Sequence, residues 1–129
     1  LKGFQTRDSW LTKQIWYNRF VDTPYQFIFQ TLEISEKILS EAEDATLDKS
    51  DRAYRFLALI MLERVIDKER SFVPGGTSAQ FPEIHKEMEA RYGEMRGRLH
   101  KLGKELDSKE LRWDMEVLGD NLKDRFIPN

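Results

Sequence analysis

Four carboxylates in the first half of the chain stand at spacings that could do chemistry. Glu33 and Glu36 share one turn of a segment that reads as helix, and Glu63 and Asp67 share one turn of the next. If the two segments form a helical hairpin, Glu33 and Glu63 come level. Carboxylates facing each other across two helices can hold magnesium beside a nucleoside triphosphate. Magnesium takes one or two of them and fills its octahedron with water and phosphate oxygens. Acids at helical spacing are also what a charged helix turns to solvent, and that is the simpler reading of these four.

In this one respect the chain resembles the all-helical nucleotide pyrophosphohydrolases, without their run of consecutive acids. The resemblance implies, as an alternative function, a magnesium-dependent nucleotide hydrolase using Glu33, Glu36, Glu63 and Asp67. A second alternative starts from Arg91, Arg96, Arg98 and Lys101, which with His100 and Lys104 make a basic run that could hold a phosphate or RNA. Nucleic-acid binders show a broader basic field and exposed aromatics. The formal net charge here is -2, so nucleic acid is not the expected partner. The same run can instead match the seven acids between Glu33 and Asp51.

Other chemistry finds less footing. His85 and His100 are fifteen residues apart on one helix, about 22 Å at 1.5 Å per residue, and cannot share an ion. A zinc site needs three or four ligands, and His85 with Glu89 offers two. His85 falls near an apolar seam, where a packed histidine is the expected role. The stretch SFVPGGTSAQFPEIH from Ser71 to His85 has two glycines before a helix, but no lysine at the position a nucleotide loop requires and no strand before it. It reads as a turn, with Thr77 or Ser78 capping the helix that follows. No cysteine is present, which removes disulfide and thiol chemistry. That composition fits a reducing compartment and predicts a cytoplasmic location.

The elements that carry these residues are helices. Strand-like alternation is nearly absent, and no apolar run reaches the roughly 18 residues that span a membrane. A first helix is expected over 8–21, rich in Trp10, Leu11, Ile15, Trp16, Tyr17 and Phe20. Thr23, Pro24 and Gln26 mark the start of a second, which runs to about Ala45 with Tyr25, Ile28, Phe29, Leu32 and Leu39 on one face. Phe27, Ile34 and Ile38 lie off that face, so both sides of the helix have something to cover. A third runs from about 50 to 71, capped by Asp48 or Ser50. It is apolar all round from Phe56 to Leu62, the mark of a central helix.

The fourth spans about 79–106. Phe81, Met88, Tyr92, Met95, Leu99, Leu102 and Leu106 form a heptad seam that needs a partner helix. Gly93 and Gly97 point away from the seam and predict close approach of another helix on that side. A fifth begins at Asp107, with Glu110 at capping-box spacing. Leu111, Met115, Leu118, Leu122 and Phe126 continue the seam along it.

The expected architecture is one all-α domain over 1–129: a bundle of four to five helices with a long C-terminal helical hairpin or kinked rod. Leu1 in place of a methionine suits a piece of a longer protein. The seam is long for a chain of this size and predicts pairing with a second copy. The function expected first is therefore a non-catalytic interaction or regulatory module, homodimeric, without a cofactor and without a membrane. Its contacts are assigned to Trp10, Trp16 and Phe20 and to Met88, Tyr92, Met95, Leu99, Leu102 and Leu106.

Overall fold

The computed structural model describes residues 23–73 and 81–118. The expected helix over 8–21, with Trp10, Trp16 and Phe20, lies outside the described residues, as do Thr77, Ser78, Leu122 and Phe126. Among the described residues there are four helices and no strands: α1 (Thr23–Ala42), α2 (Lys49–Ser71), α3 (Pro82–Leu106) and α4 (Lys109–Leu118). They pack as an all-α bundle. None of them is long and apolar enough to cross a membrane.

Pairs of side chains between helices give the topology. Glu36 meets Arg91 and Glu43 meets Arg98. Both numbers rise by seven, so α1 and α3 run parallel. Tyr92 reaches Glu63 while Arg70 reaches Glu89 and Arg52 reaches Glu105. There one number falls as the other rises, so α2 is antiparallel to α3. Arg52 on Ala42 and Arg55 on Glu41 set α1 and α2 in the same antiparallel sense. The three long helices go up, down and up, as short links between packed helices require.

The core follows the apolar periods. Tyr25, Ile28, Phe29, Leu32 and Leu39 of α1 and Phe56, Leu59, Ile60 and Ile66 of α2 are buried together. The expected seam of α3 is buried along its whole length, and Ile84 is buried beside it. Its partners are α1 and α2 of the same chain. The expected pairing of this seam with a second copy thus meets a physical obstacle. Met88, Tyr92, Met95, Leu99, Leu102 and Leu106 are already covered, and a twin cannot reach them without opening the bundle.

Two polar residues sit on the buried side of α1 and satisfy themselves within the helix. Thr31 Oγ1 donates to the Phe27 carbonyl and Ser35 Oγ to the Thr31 carbonyl, each at 2.7 Å, the back-bonding short hydroxyl side chains make inside helices. The end of α1 is satisfied from outside. No basic residue stands in its last turn; the Leu39 and Glu41 carbonyls accept from the Glu43 and Asp44 amides, and the Ala42 carbonyl takes its donor from α2. Arg52, buried at the start of α2, donates from Nε to the Ala42 carbonyl at 2.7 Å and from Nη2 to Glu105 at 2.7 Å. One guanidinium thereby joins α1, α2 and α3.

Asp48 occupies the N-cap of α2 as expected, although its side chain makes no capping hydrogen bond. Two other boundaries differ from expectation. α3 begins at Pro82, not near 79, with Phe81 as N-cap. A residue before proline is pushed out of the helical region, and proline suits the first helical position; the Phe-Pro pair therefore sets the boundary. Between α3 and α4 the cap is Ser108, whose Oγ accepts from the Leu111 amide at 3.0 Å. Asp107 ends α3 instead, and its carboxylate takes both Nε and Nη2 of Arg112. The chain breaks there, and α4 turns Leu111 and Met115 into the core beside the first turns of α2. Leu118, expected on the seam, is exposed.

Gly93 and Gly97 also depart from expectation. A Cβ built on either would meet nothing within 4 Å, so none of the described helices approaches them. Gly103 is the buried glycine of α3.

Candidate functional site

The middle of the α2–α3 interface holds a polar cluster in a core that is mostly apolar. Glu63 projects from the inner face of α2, between Ile60 and Ile66, and is fully buried. The Tyr92 hydroxyl donates to its Oε1 at 2.6 Å. The Arg96 guanidinium follows, with Nε 3.6 Å from the same oxygen, a charge contact beyond hydrogen-bonding distance. Burial, and then the Glu63 carboxylate, push the Tyr92 hydroxyl well above the usual tyrosine range.

A second layer lies over Tyr92. The Arg70 guanidinium stacks 4.1 Å from the centre of its ring, a cation–π contact partly shielded from water. Arg70 is itself held in place by Glu89, from Nε at 3.0 Å, and by Asp67, from Nη1 at 2.9 Å. These charge-assisted bonds, the Glu89 pair first, raise its already high pKa further. One turn toward the start of α3, the Tyr25 hydroxyl lies 2.7 Å from His85 Nδ1, the two rings edge to face. A His85 with its proton on Nε2 accepts the hydroxyl hydrogen. Burial, and then Glu89, push Tyr25 up to about 12. His85 is thus a packed residue with a phenol partner.

The four carboxylates of the magnesium reading do not come together. Glu36 faces Arg91 across α1 and α3, with Nε at 3.1 Å. Glu63 points into the α2–α3 interface, Asp67 holds Arg70, and Glu33 is exposed. Among the described residues no three His, Asp or Glu side chains form a group that could hold a metal ion. α1 and α2 do form a hairpin, but the turn of each helix sends these acids to different sides. The donor set therefore does not suit a resident magnesium ion.

The arginines of the anion-binding reading are engaged as well. Arg91 is bidentate on Glu36, Arg98 is bidentate on Glu43 with Nε at 3.0 Å, and Arg96 leans on Glu63. Lys101 is exposed. The acidic end of α1 and the basic half of α3 have met each other, the charge match the sequence offered as the simpler reading. Arg52 had been missed. The signal for it was indirect: an acidic helix end with no basic residue of its own needs a donor from elsewhere.

The remaining surface carries large apolar side chains. On α2 and α4, Tyr54, Leu57, Ala58, Met61, Val117 and Leu118 line an open cleft with Asp114 at its edge. Tyr54 is 69% exposed and Val117 70%, and Trp113 of α4 is 66% exposed. Phe27 and Ile34 of α1, Val65 of α2 and the α2 C-cap Phe72 are also exposed, with Val65 one turn along from Met61.

Comparison with known proteins returns no matching family model, no matching curated protein and no matching solved structure. The arrangement of these residues is the whole basis for a functional reading.

Proposed function

We propose that the chain is a non-catalytic interaction module that acts by self-association, and that the α2–α4 face is the surface it uses. The observation that carries this is the collection of Tyr54, Met61, Val117 and Leu118 outside the bundle on two neighbouring helices. Isolated apolar side chains on a surface are ordinary, but a contiguous group rimmed by polar residues marks an interaction site. An aromatic anchor such as Tyr54 is of the type that dominates interface energetics.

A second copy is the occupant favoured by the rim. The adjoining cleft is edged by Lys49 on one side and by Glu110 and Asp114 on the other. A two-fold axis puts the same patch on both partners, so each copy's lysine can face the other's acids. The sequence placed self-association on the α3 seam. That seam is spent inside the chain, and the reading moves to the face where apolar area is left over. A cytoplasmic location accords with the cysteine-free composition.

The hydrolase and anion-binding alternatives lose support from the same geometry. Their residues are tied to each other in pairs, Glu36 to Arg91 and Glu63 to Tyr92 and Arg96. Light scattering on the intact chain at micromolar concentration tests the proposal. A mass of twice the chain's 15.3 kDa is expected. A single-chain mass across the accessible range contradicts it.

A further inference from the structure

The outer face of α2 carries a second seam. Tyr54, Ala58, Met61, Val65, Lys68 and Phe72 follow one another at alternating steps of four and three, the spacing that keeps one stripe turned toward one neighbouring helix. All of them are exposed. At helical spacing the stripe falls opposite the buried Phe56, Leu59, Ile60, Glu63 and Ile66. Phe72, the C-cap, still holds helical backbone at φ -94 and ψ -2, so the stripe runs unbroken for about 27 Å at 1.5 Å per residue. Among the described helices only α4 comes near it. α4 flanks the first half alone, where Val117 and Leu118 share a cleft with Tyr54, Ala58 and Met61.

The residues of the stripe select its occupant. Turned end for end against a copy of itself, about a two-fold axis at the level of Glu63, the stripe matches layer by layer. Tyr54 comes opposite the partner's Phe72, an aromatic pair. The small Ala58 leaves room for the partner's Lys68, and Met61 packs on the partner's Val65. The flank toward α1 matches as well. Arg55 faces the partner's Glu69, twice by symmetry, and Leu62 between them meets its own copy at the axis. Ile34 stands seven residues before Glu41, which pairs with Arg55, so it lies beside Leu62 and widens the apolar centre with another exposed side chain.

On the other flank, the partner's Lys68 passes over Ala58 toward Asp114, which edges the same cleft. Arg64 meeting its own copy is the like-charged contact of this register, and exposed charge pairs are worth little. Sliding the helices by one heptad in either direction parts Arg55 from the partner's Glu69. It also leaves Tyr54 or Phe72 with nothing on the partner's α2 to meet.

We propose that two copies of this chain pair α2 against α2, antiparallel, about an axis at the level of Glu63. The inference rests on the self-association proposed for the α2–α4 face and specifies its geometry. The cleft between α2 and α4 of each copy receives the second half of the partner's α2. The register selects Lys68, rather than Lys49 at the outer rim of the face, to meet the partner's Asp114. α2 thereby gains cover on both of its apolar sides, as its run from Phe56 to Leu62 predicts for a central helix.

The absence of cysteine makes the test direct. A nitroxide is attached to the full chain at Ser50→Cys or, in a second preparation, at Ser71→Cys, both at exposed serines. Sedimentation gives the mass of each preparation, and pulsed dipolar EPR gives the distance between the two labels of a dimer. In the antiparallel pair the two copies of residue 71 are offset by about 24 Å along the helices and those of residue 50 by about 39 Å. The Ser71 label should therefore report the shorter distance, by about 15 Å. Equal distances in a dimer would mean parallel helices, and a shorter distance at Ser50 would put the axis at the α4 end. Either result overturns this inference and leaves self-association standing. A single-chain mass removes self-association and this inference together.

Discussion

Glu63 and Tyr92 join α2 to α3 from inside the bundle: the phenol donates to the carboxylate at 2.6 Å, with the carboxylate fully buried. A carboxylate deep among apolar side chains is costly unless donors face it. Tyr92 supplies one and Arg96 supplies charge. The same pair fixes how the two helices align, because a shift of either by one turn would part them.

Tyr92→Phe removes the donor and keeps the ring under Arg70. Hydrogen bonds to charged groups contribute about 1.5–3 kcal/mol, and a loss of that size is expected for this variant. The urea midpoint should fall while the slope of the transition stays the same. An unchanged midpoint would mean that the bond does not contribute to stability.

High pH should destabilise the fold through Tyr25 and Tyr92. Burial raises both hydroxyls, Tyr25 from 10.0 to about 12 and Tyr92 likewise upward. Above the ordinary tyrosine range the folded chain still holds these protons while the unfolded chain has released them. Stability is therefore fully present below about pH 10 and declines as the pH climbs toward about 12. Urea midpoints taken from about pH 8 to about pH 11 should be level at first and then fall. Tyr25→Phe should make that fall shallower. A midpoint that stays flat to the alkaline end is the contrary result.

Gly93→Ala and Gly97→Ala should each stabilise the chain, by about 1 kcal/mol, the difference in helix propensity between the two residues. A Cβ at either position meets open space within 4 Å. Thermal denaturation of the single and double variants checks this. Loss of stability in either variant would show that something in solution covers this side of α3.

Much of the fold was legible in the sequence because it depends on period. The seam from Phe81 to Leu106 and the face from Tyr25 to Leu39 repeat at helical spacing, and both are buried as read. The charge match between the end of α1 and α3 was legible too, since acids at Glu36 and Glu43 and arginines at Arg91 and Arg98 share a step of seven. What the sequence hid depends on rotation and level. Glu33, Glu36, Glu63 and Asp67 look equivalent on paper, but only the angle of each helix about its axis decides that Glu63 is buried and Glu33 exposed. The destination of the seam was hidden for the same reason, since a stripe needing cover does not say which helix supplies it. The caps were missed where two signals competed: Ser108 against Asp107, and the Phe81–Pro82 pair against Thr77 and Ser78.

The central claim is that association uses the α2–α4 face and leaves the α3 seam inside the chain. Sedimentation equilibrium of the unaltered chain beside Val117→Asp tests it most directly. Val117 is 70% exposed, so a charge there should leave folding intact. The account predicts a dimer for the unaltered chain and a folded monomer for the variant. A monomer in both cases, or a dimer that survives Val117→Asp, would contradict it.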